Sequence, residues 1–145
     1  MTASGGRSAW ALGRERNMTS IHDSALEHLA AAERACVVRY LDLLRDRLGP
    51  RLVEVHLFGS FARGDAWRPS SAMHSDIDLL IICSERPSDP ELEDFVNATY
   101  PLFLECGRQI SPQFRTREAL ESPTTEAGFA FLERFRIEGR LLFVT

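Results

Sequence analysis

Two short motifs in the middle of this chain most constrain its fold. The stretch Leu57-Phe-Gly-Ser-Phe-Ala-Arg-Gly-Asp65 predicts a strand that ends in a Gly-Ser turn and opens a short helix. The stretch Ser75-Asp-Ile-Asp-Leu-Leu-Ile81 places two carboxylates at the start of an apolar strand. Because side chains alternate along a strand, Asp76 and Asp78 are expected on the same side, roughly 6.6 Å apart along the chain.

These residue types at this spacing indicate chemistry on phosphates. The aspartate spacing suits two Mg²⁺ ions about 3.5–4 Å apart. A Gly-Ser turn exposes backbone N–H groups, and a helix N-terminus favours anions, so Gly59 and Ser60 are predicted to contact phosphate. Ser60 is equally suited to cap the helix. Arg63 is a candidate either for a phosphate contact or for a contact with an acid such as Asp65 that stabilises the loop. A phosphate-binding turn beside two metal-binding carboxylates predicts a nucleoside triphosphate as substrate.

The rest of the sequence predicts an α+β fold, a small mixed β-sheet flanked by helices. Apolar residues at intervals of three and four, after a capping-box pattern of Ser24 and Glu27, predict a first helix over residues 24–48. Pro101 should kink the second helix, and Pro112 indicates that the third strand lies at an edge. The predicted strands are 51–58, 76–83, 109–115 and 140–145; the further helices are 60–64, 90–105 and 123–138, the last with Phe131, Leu132 and Phe135 inward.

Length and composition set the remaining bounds. The 145 residues fit a single domain over 21–145 after a flexible tail over 1–20, with either Met1 or Met18 as the true start. A net charge of −4 argues against strong nucleic-acid binding. No apolar run approaches the roughly 20 residues that span a bilayer. The three cysteines match no zinc spacing and are expected to be buried free thiols of a cytoplasmic protein.

Taken together, the two motifs resemble those of the DNA polymerase β-like nucleotidyltransferase superfamily, and in particular its minimal, single-domain bacterial members. The shared pattern is a strand, Gly-Ser-x-Ala-Arg-Gly, a loop, and Ser-Asp-x-Asp-Leu. It stands here as Gly59-Ser-Phe-Ala-Arg-Gly64 and Ser75-Asp-Ile-Asp-Leu79. The resemblance is specific over residues 52–114 and weaker over the flanking helices.

The resemblance implies an activity, cofactors and a partner. Family members transfer a nucleoside monophosphate from a nucleoside triphosphate, typically AMP from ATP, to a hydroxyl. By this resemblance Asp76 and Asp78 are the catalytic and metal-binding residues for two Mg²⁺ ions, and Gly59, Ser60 and Arg63 bind the nucleotide. Many minimal members are antitoxins that modify a small helical HEPN-type toxin, so a separate helical protein is the expected partner and acceptor.

One departure from the family pattern leaves two functions open. The family usually carries a third carboxylate on the next core strand, and Ser111 falls at that position here. A serine hydroxyl is a poor replacement for an anionic metal ligand. One function is an enzyme, either with weak catalysis or with an acid from elsewhere in the chain, for which Glu54 and Glu105 are candidates. The other is a domain that binds nucleotide without turning it over and neutralises a helical partner by contact.

Overall fold

A four-stranded mixed sheet forms the centre of the computed structural model, which describes residues 23–59 and 76–144. The strands stand in the order β3-β2-β1-β4. β1 is antiparallel to both β2 and β4, whereas β2 is parallel to β3, so the predicted α+β mixed sheet is confirmed. The strands are β1 (Leu52–Phe58), β2 (Ile77–Cys83), β3 (Ile110–Thr116) and β4 (Arg140–Val144).

Three helices cover one face of this sheet. They are α1 (Ala31–Leu48), α2 (Asp89–Asn97) and α3 (Thr99–Cys106). α2 and α3 supply the crossover that the parallel pair of β2 and β3 requires. The larger apolar core lies between these helices and the sheet, and it includes Val37, Tyr40, Leu41, Leu44, Val55, Leu57, Leu79, Ile81, Phe95 and Ile110.

Two further helices cover the opposite face. They are α4 (Arg117–Glu121), which follows β3 directly, and α5 (Glu126–Glu138), which leads into β4. Phe58, Leu80 and Ile82 of the sheet pack there against Leu120 and Leu132, with Phe131 and Phe135 partly buried beside them. The predicted inward positions of α5 agree with this packing. The predicted helix over 123–138 begins later than expected, and α4 was not predicted at all.

The predicted start of the first helix was wrong. Residues Asp23–Leu26 form a separate 3₁₀ turn, and α1 begins only at Ala31. The backbone N–H of Ala30 donates to a carboxylate oxygen of Glu33 at 2.8 Å, which closes the helix start at this point. The capping pattern of Ser24 and Glu27 therefore does not begin the long helix.

The second predicted helix is divided in two, upstream of the residue expected to kink it. Ser88 caps α2, accepting a hydrogen bond from the N–H of Glu91 at 3.2 Å. α2 ends at Asn97 and α3 begins at Thr99, two residues before Pro101. Proline has no N–H for the carbonyl four residues earlier, here that of Asn97, and its ring crowds that carbonyl, so the break falls where the missing bond would have been.

The structure also bears on the cysteines and on membrane insertion. Cys36, Cys83 and Cys106 are all free thiols. Cys36 and Cys83 are buried as expected, but Cys106 is only partly buried, because it lies at the exposed end of α3. Within residues 23–59 and 76–144, no helix has the length and apolar character needed to cross a bilayer. The predicted tail over 1–20 and short helix over 60–64 lie outside the described residues.

Replacement of Tyr40 by phenylalanine tests the larger core. The Tyr40 hydroxyl donates to the carbonyl oxygen of Phe95 at 2.9 Å, and the residue is fully buried. We expect Tyr40→Phe to lower the free energy of unfolding by about 1 kcal/mol, because a buried carbonyl loses its donor. Urea denaturation measures the loss. Tyr100→Phe is the matched control, since Tyr100 is 61% exposed and should change nothing. Equal stability of both variants and the wild type would contradict this assignment.

Candidate active site

The pairing of β2 with both its neighbours determines where Asp78 lies. Asp78 stands in register with Phe58 of β1 and with Ser111 of β3. Side chains of paired residues share a face of the sheet, so Asp78 points to the face that α4 and α5 cover. Asp78 is half-buried, and it is the one charged residue within a strand that is otherwise apolar.

Asp76 precedes β2 and is exposed to solvent. Ile77, between the two aspartates, is completely buried in the core beneath α1. The N–H of Ile77 donates to the carbonyl of Gln109 at 2.8 Å, which extends the pairing of the two parallel strands to this residue. Because side chains alternate along a strand, both carboxylates are expected on the same face of the sheet, at the solvent-exposed start of β2.

Gly59 joins the two sequence motifs in space. It directly follows β1 with a φ of 79°, a backbone conformation that side chains disfavour. A Cβ added at Gly59 would overlap Oδ2 of Asp78 and would lie 3.4 Å from its Cγ. Close approach at Gly59 was predicted for a phosphate, whereas the structure shows it for the Asp78 carboxylate itself. Only a glycine allows the turn and this carboxylate to occupy their places together.

The two other predicted nucleotide-binding residues, Ser60 and Arg63, lie outside the described residues. Their roles therefore stay predictions from the sequence.

Ser111 occupies the position beside Asp78 on the neighbouring parallel strand. Both residues are partly accessible, and their side chains project from the same face. Within the described parts of the chain, no group of three or more His, Cys, Asp or Glu side chains could hold a metal ion. The two aspartates thus have a hydroxyl, not a carboxylate, as their neighbour on β3.

Neither of the acids considered as substitutes lies near Asp78. Glu54 pairs with Ile82, four residues along β2 from Asp78, which corresponds to about 13 Å. Glu105 is on α3, at the opposite face of the sheet, and forms an ion pair with Arg39 of α1. Both predicted alternatives are therefore wrong on geometric grounds.

Glu54 instead belongs to a small polar cluster on the same face as Asp78. Its carboxylate lies 2.7 Å from Nε2 of His56 and 2.6 Å from the guanidinium of Arg117. Burial opposes ionisation of Glu54, but the hydrogen bonds from His56 and Arg117 outweigh it and hold the pKa of this carboxyl below its usual value. These contacts brace α4 against β1. The sequence offered no signal for this pairing, since the two partners are 63 residues apart.

A cavity of about 750 Å³ opens next to this region, between the end of β3, α4 and the start of α5. Its walls include Arg115, whose guanidinium lies 5.5 Å from the centre of the Phe131 ring. Arg115 is four residues along β3 from Ser111, and neither Asp76 nor Asp78 lines the cavity. It is a neighbour of the aspartates and does not contain them.

The described residues fit a Mg²⁺ site in which the protein supplies some of the ligands and the bound substrate supplies others. Mg²⁺ in proteins is often bound by one or two carboxylates together with phosphate oxygens and water. In such a site Asp78 and Asp76 would provide the carboxylates at the solvent-exposed start of β2, and the absence of a Cβ at Gly59 leaves room for the Asp78 carboxylate. A preformed cage made of protein ligands alone is not required.

Substitution of Gly59 by alanine tests the contact that joins the motifs. Gly107 is the matched control, because its φ is 77° but a Cβ there would meet nothing within 4 Å. We expect both alanine variants to lose roughly 1–2 kcal/mol of stability from the left-handed backbone alone. Only Gly59→Ala should also displace the Asp78 carboxylate, and so abolish the rise in melting temperature on addition of Mg²⁺ and ATP. An identical thermal shift in both variants would show that the contact at Gly59 has no bearing on ligand binding.

Comparison with known proteins gives the same fold. A mutant form of the MntA–HpeT toxin–antitoxin complex is similar over 75% of this chain and 72% of that one, with a TM-score of 0.50 and 20% sequence identity. A second mutant of the complex is similar over 74% of this chain and 73% of that one, with a TM-score of 0.51 and 18% identity. No curated protein matches the sequence. At these identities the structural likeness is one of fold.

The family itself is shown by the sequence. The model of the nucleotidyltransferase domain matches residues 38–141, well over half of the chain, and this range includes Gly59, both aspartates and Ser111. The chain therefore belongs to the nucleotidyltransferase domain family.

Proposed function

We propose that this protein is a Mg²⁺-dependent nucleotidyltransferase that moves AMP from ATP to a hydroxyl group of a small helical partner protein. The observation that supports the proposal is the close approach of Gly59, from the first motif, to the carboxylate of Asp78, from the second. Their juxtaposition is what a triphosphate bound through divalent cations needs.

We assign the following roles to the residues of this proposed site. Asp76 and Asp78 hold the cations, and Ser60 and Arg63 bind the terminal phosphates of ATP. Gly59 allows the turn to lie against Asp78. When bound, Mg²⁺ supplies charge neutralisation at the leaving pyrophosphate and lowers the pKa of the acceptor hydroxyl. The hydroxyl of Ser111 cannot take up the acceptor proton as a carboxylate would, so we expect slow transfer.

The partner in this proposal is the toxin of a toxin–antitoxin pair. It follows from the sequence resemblance to minimal antitoxins and is in keeping with the toxin–antitoxin complexes that share the fold. A HEPN-type helical protein is the expected acceptor. The free thiols of Cys36, Cys83 and Cys106 favour a reducing, cytoplasmic setting for the pair.

A second function is favoured by one specific observation. Ser111 stands where an acid would complete the cation site, and the described residues contain no substitute near Asp78. The protein would then keep the nucleotidyltransferase fold, bind the nucleotide without turning it over, and neutralise the helical partner by contact alone.

Nucleotidyl transfer to the partner distinguishes the two functions. The purified protein is incubated with Mg²⁺, α-labelled ATP and the product of the neighbouring reading frame. We expect label on the partner, and Asp76→Asn or Asp78→Asn should reduce it by at least about 100-fold, since each removes a cation ligand. Asp46→Asn, which changes an exposed aspartate of α1, is the control and should retain full transfer. Partner neutralisation that survives both substitutions without any transferred label would rule out the enzyme in favour of contact.

Restoring the acid at position 111 provides the converse test. If the missing carboxylate limits an otherwise competent enzyme, Ser111→Asp should raise the rate of label transfer by about 100-fold, the usual effect of a well-placed general base. It should also make the melting temperature depend more strongly on Mg²⁺, because a third carboxylate beside Asp78 needs a cation to offset the repulsion. Ser111→Asn is the matched variant without charge. A rate that does not rise, in a variant that folds and binds Mg²⁺, would show that Ser111 is not the limiting departure.

A further inference from the structure

α2 and α3 expose apolar side chains where a surface helix normally turns polar residues to solvent. Phe95 and Leu102 face inward and are buried against the core, as is the side chain of Thr99. The opposite side of the same two helices carries the exposed residues Val96, Tyr100, Phe103 and Leu104, at 51, 61, 37 and 65% of their full accessibility. We call these four residues the α2–α3 stripe.

The α2–α3 stripe is contiguous and not a scatter of single exposed residues. Val96, Tyr100 and Leu104 follow one another at intervals of four, and the rings of Tyr100 and Phe103 lie 6.4 Å apart. Ala98, which joins the two helices, keeps helical dihedral angles, so the spacing of four continues across the junction. Single exposed apolar residues are common, but a continuous patch usually marks a binding surface.

Charge around the α2–α3 stripe indicates what binds there. Residues 88–107 contain five acids (Asp89, Glu91, Glu93, Asp94 and Glu105) and no Lys or Arg. The net charge of this segment is −5, whereas that of the whole chain is −4, so the rest of the chain has a net charge of +1. Within the described part of the chain, Asp89, Glu91 and Glu105 form ion pairs with arginines outside the segment.

Glu93 and Asp94 provide the acidic end of the stripe. Both are exposed, and no ion pair with them is found among the described residues. Glu93 lies three residues before Val96 and seven before Tyr100, on the same side of the helix. The surface therefore runs from Glu93, with Asp94 on its flank, through Val96 to the aromatic and aliphatic side chains of α3.

From this pattern we propose that the α2–α3 stripe is the docking surface for a basic amphipathic helix of the partner protein. A helix laid along the stripe would place apolar residues at intervals of three and four on Tyr100, Phe103 and Leu104, and an Arg or Lys near Glu93 and Asp94. This inference rests on the proposed function for the existence of the partner. A second copy of this chain is a poorer occupant, because it would bring two acidic segments together.

The stripe is on the face of the sheet opposite to the Asp78 side chain. α2 and α3 pack on the core beneath α1, whereas Asp78 projects toward α4 and α5. Docking would thus hold the partner on one side while a different part of it, or another subunit of it, reaches the aspartates around the edge of β3. Substitutions in the α2–α3 stripe and substitutions of the aspartates should therefore affect binding and modification of the partner separately.

Binding of the purified product of the neighbouring reading frame, measured by calorimetry, tests the proposal. We expect Leu104→Glu to weaken binding at least about tenfold, because it places a charge within the apolar surface. Ile137→Glu is the matched control: Ile137 is 75% exposed but lies on α5, and its substitution should leave the affinity unchanged. The Glu93→Gln, Asp94→Asn double variant should bind more weakly at low salt and lose most of the salt dependence.

These outcomes distinguish a wrong location of the docking surface from a wrong proposed function. Binding that Leu104→Glu leaves intact would overturn the location while the complex itself stands. Absence of any complex with the wild-type protein would overturn this inference together with the proposed partner. A dimer of the isolated protein, seen by light scattering and dissociated by Leu104→Glu, would assign the stripe to a second copy and overturn the proposal. Mg²⁺-dependent ATP binding by Leu104→Glu, equal to that of the wild type, verifies that the variant is folded.

Discussion

The register of β2 between β1 and β3 is the constraint on which the rest of the structure depends. β2 is buried on both faces, and its side chains divide between the core beneath α1 and the smaller core beneath α4 and α5. A slip of one residue would turn the Asp78 carboxylate into the core that now receives Ile77 and Leu79. Because burial of an unpaired carboxylate is strongly unfavourable, the apolar pattern that specifies the strand also specifies the side on which the acid lies.

The same register accounts for the composition of the site. It places Phe58, and therefore Gly59, on one side of Asp78, and Ser111 on the other. Because Gly59 lies so close to the carboxylate, a side chain at that position would displace it. The serine on the far side leaves two carboxylates where three are usual. Under the proposed function, the bound triphosphate and the acceptor would supply the remaining ligands, and the transfer would be slow.

Sequence patterns predicted the parts of this fold that depend on local chemistry. The alternation of Val55 and Leu57 with His56 and Phe58 predicted β1, and the apolar run after Asp78 predicted the central strand. The start of α1 was missed because Ala30 has no side chain that marks a helix cap, and the acid at Glu33, not that at Glu27, closes the helix. α4 was missed because five residues are too few to show helical periodicity. The contact between Gly59 and Asp78, like the pairing of Glu54 with Arg117, depends on strand register and on residues far apart in the chain, which no local pattern encodes.

We propose that Asp76, Asp78 and the turn at Gly59 bind one cluster of divalent cations and phosphate. A crystal of the protein grown with Mn²⁺ and a non-hydrolysable ATP analogue tests this binding most directly, through the anomalous scattering of the metal. We expect the strongest anomalous peak between the two aspartates, about 2.1 Å from their oxygens, with the terminal phosphates against the turn. A nucleotide bound elsewhere, such as in the cavity beside Phe131, with no metal at the aspartates, would contradict it.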